Sequence, residues 1–259
     1  MVDVSFSLSN FEYFLLILVR IASFIFVAPV FGQTSVPARV KIGISFFVSI
    51  LLYGVVPVSE LDYVSVIGFA SFIVKEVMTG IIIGFAANIC SYIILFAGNI
   101  IDMDIGLSMA TEFNPEMGSQ VTISGNLYYY FVMIILVLSD MHTYVLRAVC
   151  DSFQVVPVGG AVFNWDHLLG AMIKYVGDLF VIGFRIFLPV FACIMILNCV
   201  LGIMAKVAPQ MNMFAVGIQL KIFVGFAVIF LTVFMIPGIA DFIYREIKTM
   251  VVLVIEGMY

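Results

Sequence analysis

The chain has 259 residues, of which 64% are hydrophobic and 10% are charged, with a formal net charge of −5. An ordinary soluble domain carries about 25% charged residues, so this chain has too little charge to cover a soluble surface of its size. The composition excludes a nucleic-acid-binding protein, a disordered tail and an ordinary water-soluble enzyme.

The positions of the charges leave six runs of at least 18 residues without Asp, Glu, Lys or Arg. A membrane-spanning helix needs about 20 mostly apolar residues, and these runs do not alternate as the strands of a β-barrel would. The sequence therefore predicts an all-α, polytopic membrane protein with a single domain over residues 1–259. The charge-free runs are 21–38, 42–59, 77–101, 117–139, 186–205 and 222–240.

The first apolar helix is predicted from about Phe11 to Val27, ending before Pro29. Its segment lacks the basic start and the cleavage site of a signal peptide, so we expect it to stay in the mature protein. A second apolar segment follows over 42–56. Lys75-Glu76 then divides a long stretch into a short arm, 64–74, and a full-length arm, 77–101. The short arm amounts to about 16 Å of helix, which predicts a half-spanning segment or one buried against protein.

Residues 102–126 form the polar exception, with four acids and no base. Gly106, Pro115, Gly118 and Gly125 disfavour one continuous helix, while methionines, Leu107 and Phe113 add adaptable apolar bulk. Irregular backbone at membrane depth is tolerated only where it is buried in protein or lines a cavity. The segment is therefore either a plug that folds back to block a pore or an ordinary extramembrane turn.

The second half of the chain repeats the pattern of apolar stretches and polar links. Apolar residues resume at Leu127 and could continue past Asp140 to Val149, before a Pro- and Gly-containing link over 151–170. Two long apolar segments follow, 176–205 and 213–240, and the second is closed by Pro237-Gly238. The tail, 241–259, is predicted to be an amphipathic surface helix.

Five charged residues lie inside or close to the apolar segments. A charge at the bilayer centre costs at least about 2.5–3.5 kcal/mol, so these segments are not expected simply to face lipid. The charges could line a path for ions or polar substrates, or they could form structural ion pairs between helices and subunits. The five residues are Arg20, Glu76, Asp178, Arg185 and Lys221.

Motifs typical of catalysis are missing from the sequence, so we expect no enzyme activity, cofactor or metal. The chain has two histidines, and it contains no HExxH, GxSxG or Walker A motif. Asp102 and Asp104 resemble a carboxylate pair, but the residues that would complete a metal-binding loop are missing. Capping of a helix end, or simple solvation, is the alternative role for this pair. Gly80-Ile-Ile-Ile-Gly84 matches GxxxG and predicts a close helix contact.

Five segments together resemble the FliR/SctT family of type III export-gate proteins, found in flagella and injectisomes. Residues 114–121 are similar to that family's D/N-P-x-x-G-x-Q-V signature, which Asn114, Pro115, Gly118, Gln120 and Val121 match. Residues 98–110 resemble the stretch that leads into the signature. The segment 208–217 resembles P-Q-x-N-x-F-x-x-G, and two stretches within 20–41 also fit. The P-Q motif residues are Pro209, Gln210, Asn212, Phe214 and Gly217.

The resemblance implies a pore-forming and pore-closing subunit of the flagellar export gate in the bacterial inner membrane, within the basal body, which passes unfolded flagellar proteins. It also implies a helical hetero-oligomer with small P-type and Q-type subunits and contact with a B-type switch protein. The plug would run from Gly106 to Val121, with Met109, Phe113 and Met117 as our inferred sealing side chains. Much of the apolar surface would then pack on partner subunits.

Three other functions stay open from the sequence. An injectisome export-gate subunit of the same family would share every motif above. A secondary transporter with broken helices would bind a small solute near the bilayer midplane, but no clear inverted repeat is visible. An assembly factor without a role in the pore would also need the apolar surface.

Overall fold

The computed structural model describes residues 8–56, 63, 66–108, 111–114, 119–210 and 212–259. Its described residues are mostly helical, which confirms the prediction of an all-α, polytopic membrane protein. One short hairpin and a 3₁₀ turn, Val233–Met235, interrupt the helices. The elements in chain order are α1 Leu8–Val27, α2 Ala38–Tyr53, α3 Val66–Ile105, β1 Thr111–Asn114, β2 Ser119–Thr122, α4 Ile123–Leu138, α5 Met141–Val155, α6 Trp165–Val207, α7 Met213–Thr232 and α8 Ile236–Glu256.

Four stretches in the described part of the chain are long and apolar enough to cross a membrane. Helices α4 and α5 would make a fifth span if they act together, although they are bent by 66° at the break between them. The break falls at Asp140, whose φ of 56° is left-handed, so the apolar pattern does not continue to Val149 as one helix. The four stretches are Asn10–Val27, Val66–Asn88, Trp165–Val207 and Ala215–Glu256.

The predicted division into two arms at Lys75-Glu76 is wrong, because both arms belong to the single helix α3. The helix runs without a break over 40 residues, which is about 60 Å, or twice the thickness of the hydrocarbon core. Lys75 and Glu76 are good helix formers and do not interrupt the helix, and the Glu76 carboxylate can lie buried because Arg20 pairs with it. The short arm is therefore not a separate half-spanning segment.

The C-terminal region differs from the prediction in where its helix begins. The last apolar stretch breaks at the 3₁₀ turn, before Pro237, which lies in the first turn of α8. Proline is tolerated there because the first N–H groups of a helix have no intrahelical acceptor. The predicted amphipathic tail is the later part of α8, where one face is apolar and buried and the other carries exposed Arg245, Thr249 and Glu256. The buried residues of the apolar face are Ile243, Ile247, Met250, Val251 and Val254.

The described residues divide into two compact units. Unit 1 takes them from 1–89, 140–175 and 245–259, and unit 2 takes them from 90–139 and 176–244. Helices α3, α6 and α8 each contribute residues to both units. In unit 1, α1 is the buried element, and its fully buried apolar side chains are Leu16, Ile17, Ile21, Phe24 and Ile25.

The GxxxG prediction is confirmed as a close contact between α3 and α1 in unit 1. A Cβ atom added at Gly80 would lie 2.3 Å from the carbonyl oxygen of Arg20, and one at Gly84 would lie 3.0 Å from that of Phe24. Both obstructing atoms are backbone, so a side chain cannot be accommodated by a change of rotamer. These two glycines therefore allow the short distance between α3 and α1.

Substitution of Gly80 by alanine should destabilise unit 1 by about 1–3 kcal/mol, because overpacked side chains force backbone shifts. The control is Gly43→Ala in α2, where an added Cβ meets nothing within 4 Å. That change should be neutral or stabilising by up to about 1 kcal/mol, since alanine is the better helix former. Thermal unfolding of the purified variants in detergent compares the two, and equal melting temperatures would contradict the close contact.

Candidate functional site

Strands β1 and β2 form an antiparallel hairpin where the sequence predicted irregular backbone. The register pairs Thr111 with Thr122 and Asn114 with Ser119. The family-like signature, 114–121, therefore starts at the end of β1, crosses the connection 115–118 and continues along β2. That connection lies outside the described residues, as do Met109 and Ala110.

Helix α3 ends just before the hairpin at a glycine. Gly106 has a φ of 95°, a conformation that L side chains rarely adopt. The carbonyl of Asp102 accepts hydrogen bonds from the N–H groups of Gly106 at 3.1 Å and Leu107 at 2.7 Å. This is a left-handed helix cap, which turns the chain out of α3 toward β1.

The side chain of Asp102 fixes the other end of the hairpin. Its carboxylate is fully buried, and it accepts the Ser124 backbone N–H at 2.8 Å and the Ser124 hydroxyl. One turn earlier in α3, Asn99 accepts a hydrogen bond of 3.0 Å from the Thr122 hydroxyl. Asp102 therefore caps the N-terminus of α4 from a neighbouring helix, which is the capping role predicted for the pair, here filled by Asp102.

Two facing glycines allow this cap to form. A Cβ added at Gly98 would lie 2.1 Å from the Cα atom of Gly125. Helices α3 and α4 therefore touch backbone to backbone, four residues before Asp102. Gly125 was expected to break a helix, but it lies inside α4 because its task is this close approach.

Changing Asp102 to alanine should loosen the base of the hairpin. The loss of a helix cap costs about 0.5–2 kcal/mol, and the Ser124 donors would also be left buried and unpaired. Asp102→Asn should restore part of the loss, because an amide keeps one oxygen acceptor. Hydrogen exchange at the first amides of α4 should be faster in the alanine variant than in asparagine or wild type. Unchanged protection in Asp102→Ala would contradict the cap.

Apart from Gly106, which caps α3, the proposed plug residues fall into three groups. Met109, Pro115, Met117 and Gly118 lie outside the described residues. Phe113 and Asn114 are placed in β1 by their backbone. In β2, Gln120 is exposed and Val121 is buried, with 6% of its surface accessible.

The P-Q motif, Pro209 to Gly217, connects α6 to α7 in unit 2. Pro209 and Gln210 lie exposed in a turn. Asn212 is the N-cap of α7, and its side-chain oxygen accepts the Ala215 N–H at 3.4 Å. Gly217 is buried, and a Cβ there would lie 3.4 Å from the Leu201 side chain of α6. Phe214 belongs to α7 by its backbone. The motif thus forms the turn between α6 and α7 and caps the start of α7.

Arg20 and Glu76 form a fully buried ion pair in unit 1, with N–O distances of 2.5 and 3.0 Å. The Arg20 guanidinium also donates to the carbonyl of Val156 at 2.9 Å and lies 4.1 Å from the centroid of the Phe153 ring. Glu76 accepts the N–H of Gly159 at 2.7 Å. These two charges therefore join α1, α3 and the link after α5, as the structural interpretation predicted.

The other three interior charges lie in unit 2. Asp178 is half-buried and Arg185 is exposed, both on α6. Lys221, on α7, lies near Asp104 at the end of α3. Burial raises the pKa of the Asp104 carboxyl, and the positive charge of Lys221 partly opposes this shift.

Several residues of the site were missed by the sequence analysis. Tyr128 of α4 and Thr232 of α7 share a buried hydrogen bond of 2.7 Å between their hydroxyls, and Asn99 and Ser124 hold the base of the hairpin. The polar run Thr122 to Asn126 directly before an apolar helix was the available signal for a capped start. Among the described residues, no three His, Cys, Asp or Glu side chains cluster as metal ligands.

Comparison with known proteins gives one family and several relatives. The sequence profile described as "Bacterial export proteins, family 1" matches residues 11–247. The chain is 32% identical over 222 residues to the flagellar biosynthetic protein FliR of Bacillus subtilis, covering 83% of this chain and 84% of that protein. It is 26% identical over 231 residues to the protein of the same name from Escherichia coli, covering 89% of this chain and 87% of the relative.

Proposed function

The chain belongs to family 1 of the bacterial export proteins, and from this premise we propose that it is a pore-forming and pore-closing subunit of the flagellar type III export gate. It acts in the bacterial inner membrane, within the flagellar basal body, and passes unfolded flagellar proteins. The names of the relatives support the flagellar assignment over the injectisome alternative. Residues 111–122, here called the plug hairpin, lie in the path of the exported chain and close it.

The observation that carries the proposal is the anchoring of the plug hairpin at its base. An element that closes a channel must be held firmly at one end while its other end moves. The base is held by the Gly106 cap, by Asp102 on Ser124 and by Asn99 on Thr122. The two strands pair with each other along their facing edges, and water in a channel can satisfy the backbone groups on their outer edges.

The apolar surface supports an assembled rather than a solitary protein. Helices α3 and α6 contain 40 and 43 residues, about twice the length needed to cross a bilayer. Side chains such as Phe47, Ile67, Phe223 and Phe234 are largely exposed in the chain by itself. We propose that P-type and Q-type subunits cover much of this surface and that a B-type switch protein contacts the assembly.

Co-purification tests this proposal against its rivals. The chain is tagged in its own cells, extracted in mild detergent and analysed for bound proteins by mass spectrometry. The proposal expects small apolar P-type and Q-type subunits in fixed ratio, together with loss of motility when the gene is removed. Purification as a stable monomer from motile cells would contradict it and would favour the transporter. Normal secretion without the chain would contradict any gate function.

A further inference from the structure

A groove in unit 2 is lined mostly by apolar side chains, together with the hydroxyls of Tyr128 and Thr232 and the cation of Arg185. Its volume is about 410 Å³, and its walls come from α4, α6, α7 and α8. The apolar lining includes Ile182, Ile186, Met235 and Ile239, and Arg185 is the single basic residue among the described residues that line the groove. At Gly238 an added Cβ would meet nothing within 4 Å. This leaves room for the close approach of another helix.

Arg185 has no counter-charge within the described part of the chain. Its guanidinium carbon lies 5.9 Å from the centroid of the Phe242 ring, and no ion pair accompanies this contact. Asp178 lies two helical turns earlier on α6, about 10 Å away along the axis. Its buried oxygen Oδ2 has no hydrogen-bond partner either. Arg185 differs in this from Arg20, whose charge is fully matched by Glu76.

An uncompensated arginine restricts what can cover the groove. Covering the guanidinium with apolar surface alone would bury an unpaired charge, which costs several kcal/mol. A carboxylate offsets much of that cost, because it matches the guanidinium fork with two parallel hydrogen bonds. A lipid phosphate would supply the same charge, but anionic lipid sites typically use clusters of basic residues. The single cation of this groove therefore favours a protein carboxylate.

We propose that this groove docks an apolar helix of a partner subunit, and that one Asp or Glu on the helix pairs with Arg185. The proposal rests on the proposed function, since it names the chemistry by which the gate's subunits meet at this surface. It gives the exposed Arg185 a structural counter-charge of the kind that Glu76 gives Arg20. It also assigns the surrounding apolar side chains to a subunit interface.

Charge variants in the assembled gate test the proposal. Arg185→Glu and Arg185→Met should each lower the yield of co-purified partner roughly tenfold or more, since both break a covered ion pair. Arg185→Lys should retain most of it. Lys174→Glu reverses an exposed charge three turns earlier on α6 and is the matched control, with an unchanged yield expected. Partner mutations that exchange an Asp or Glu for lysine should restore assembly with Arg185→Glu.

The outcomes separate this inference from the proposed function. If the wild type assembles and both Arg185→Glu and Arg185→Met recover as much partner, the inference is overturned and the gate function stands. If even the wild type recovers no partner, the gate function fails and the inference with it. Native mass spectrometry in phosphatidylglycerol nanodiscs tests the alternative that a lipid phosphate pairs with Arg185. A bound phosphatidylglycerol that Arg185→Met loses while partner yield is unchanged would overturn the inference.

Discussion

Changing Glu76 to glutamine should destabilise the protein by about 3–5 kcal/mol, which is the usual result of removing one partner from a buried ion pair. Glutamine keeps the shape of the side chain but leaves the Arg20 guanidinium buried without a negative charge. Both side chains have no accessible surface, so water cannot replace the lost partner. Thermal unfolding in detergent and the yield of folded protein should both fall.

A neighbouring substitution and a paired one make this test specific. Lys75→Gln removes a half-exposed charge beside Glu76 and should change stability by less than about 0.5 kcal/mol. The double variant Arg20→Met, Glu76→Met should lose less stability to unfolding than Glu76→Gln does. Replacing both charges by apolar groups leaves no isolated buried charge. If Glu76→Gln unfolds at the same temperature as Lys75→Gln, the buried pair does not stabilise unit 1.

Replacing residues 115–118 by Asn-Gly should make cells with the assembled gate leak ions. Asn-Gly favours a tight two-residue hairpin turn, so the pairing from Thr111–Thr122 to Asn114–Ser119 can persist. Only the end of the plug hairpin is removed, and its anchored base is kept. Leakage is followed by the fall in membrane potential and by entry of small solutes, with the partner subunits expressed at normal levels.

The control for the leak is the Asp102→Asn variant, which alters the base while keeping residues 115–118. It should leak less than the shortened hairpin, because part of the cap remains. Co-purification must show that both variants still assemble, since an unassembled gate cannot leak. A shortened hairpin that assembles and keeps a normal membrane potential would show that the hairpin does not close the pore.

Sequence patterns predicted the helical class because the hydrophobic effect acts on composition, and a run of about 20 apolar residues has few alternatives. Sequence patterns failed to predict features that depend on contacts between residues far apart in the chain. Lys75-Glu76 looked like a boundary between two arms, yet Arg20, 56 positions earlier, pairs with Glu76, so that this charge lies buried within one continuous helix. No local pattern contains such a long-range partner.

In the candidate site, too, features set by local sequence were predicted and features set by long-range contacts were missed. Gly106 was expected to end the helix, and it does so with a positive φ. Gly125 was expected to do the same but lies within α4, because its lack of a side chain serves the contact with Gly98. The local sequence does not show why a glycine is present. It can serve a positive φ angle, as at Gly106, or a close backbone contact, as at Gly125. The strand pairing of the plug hairpin was missed because each strand has only four residues.

Photo-cross-linking at position 117, in the connection between β1 and β2, tests most directly whether the plug hairpin lies in the path of the exported chain. A photo-reactive amino acid replaces Met117, and an exported protein fused to a tightly folded domain is stalled in the gate. The control position is Leu138 at the far end of α4, which is 77% exposed. We predict a cross-link to the stalled chain from position 117 and none from position 138. Cross-links from position 117 to lipid or partner subunits alone, with the stalled chain present, would contradict the account.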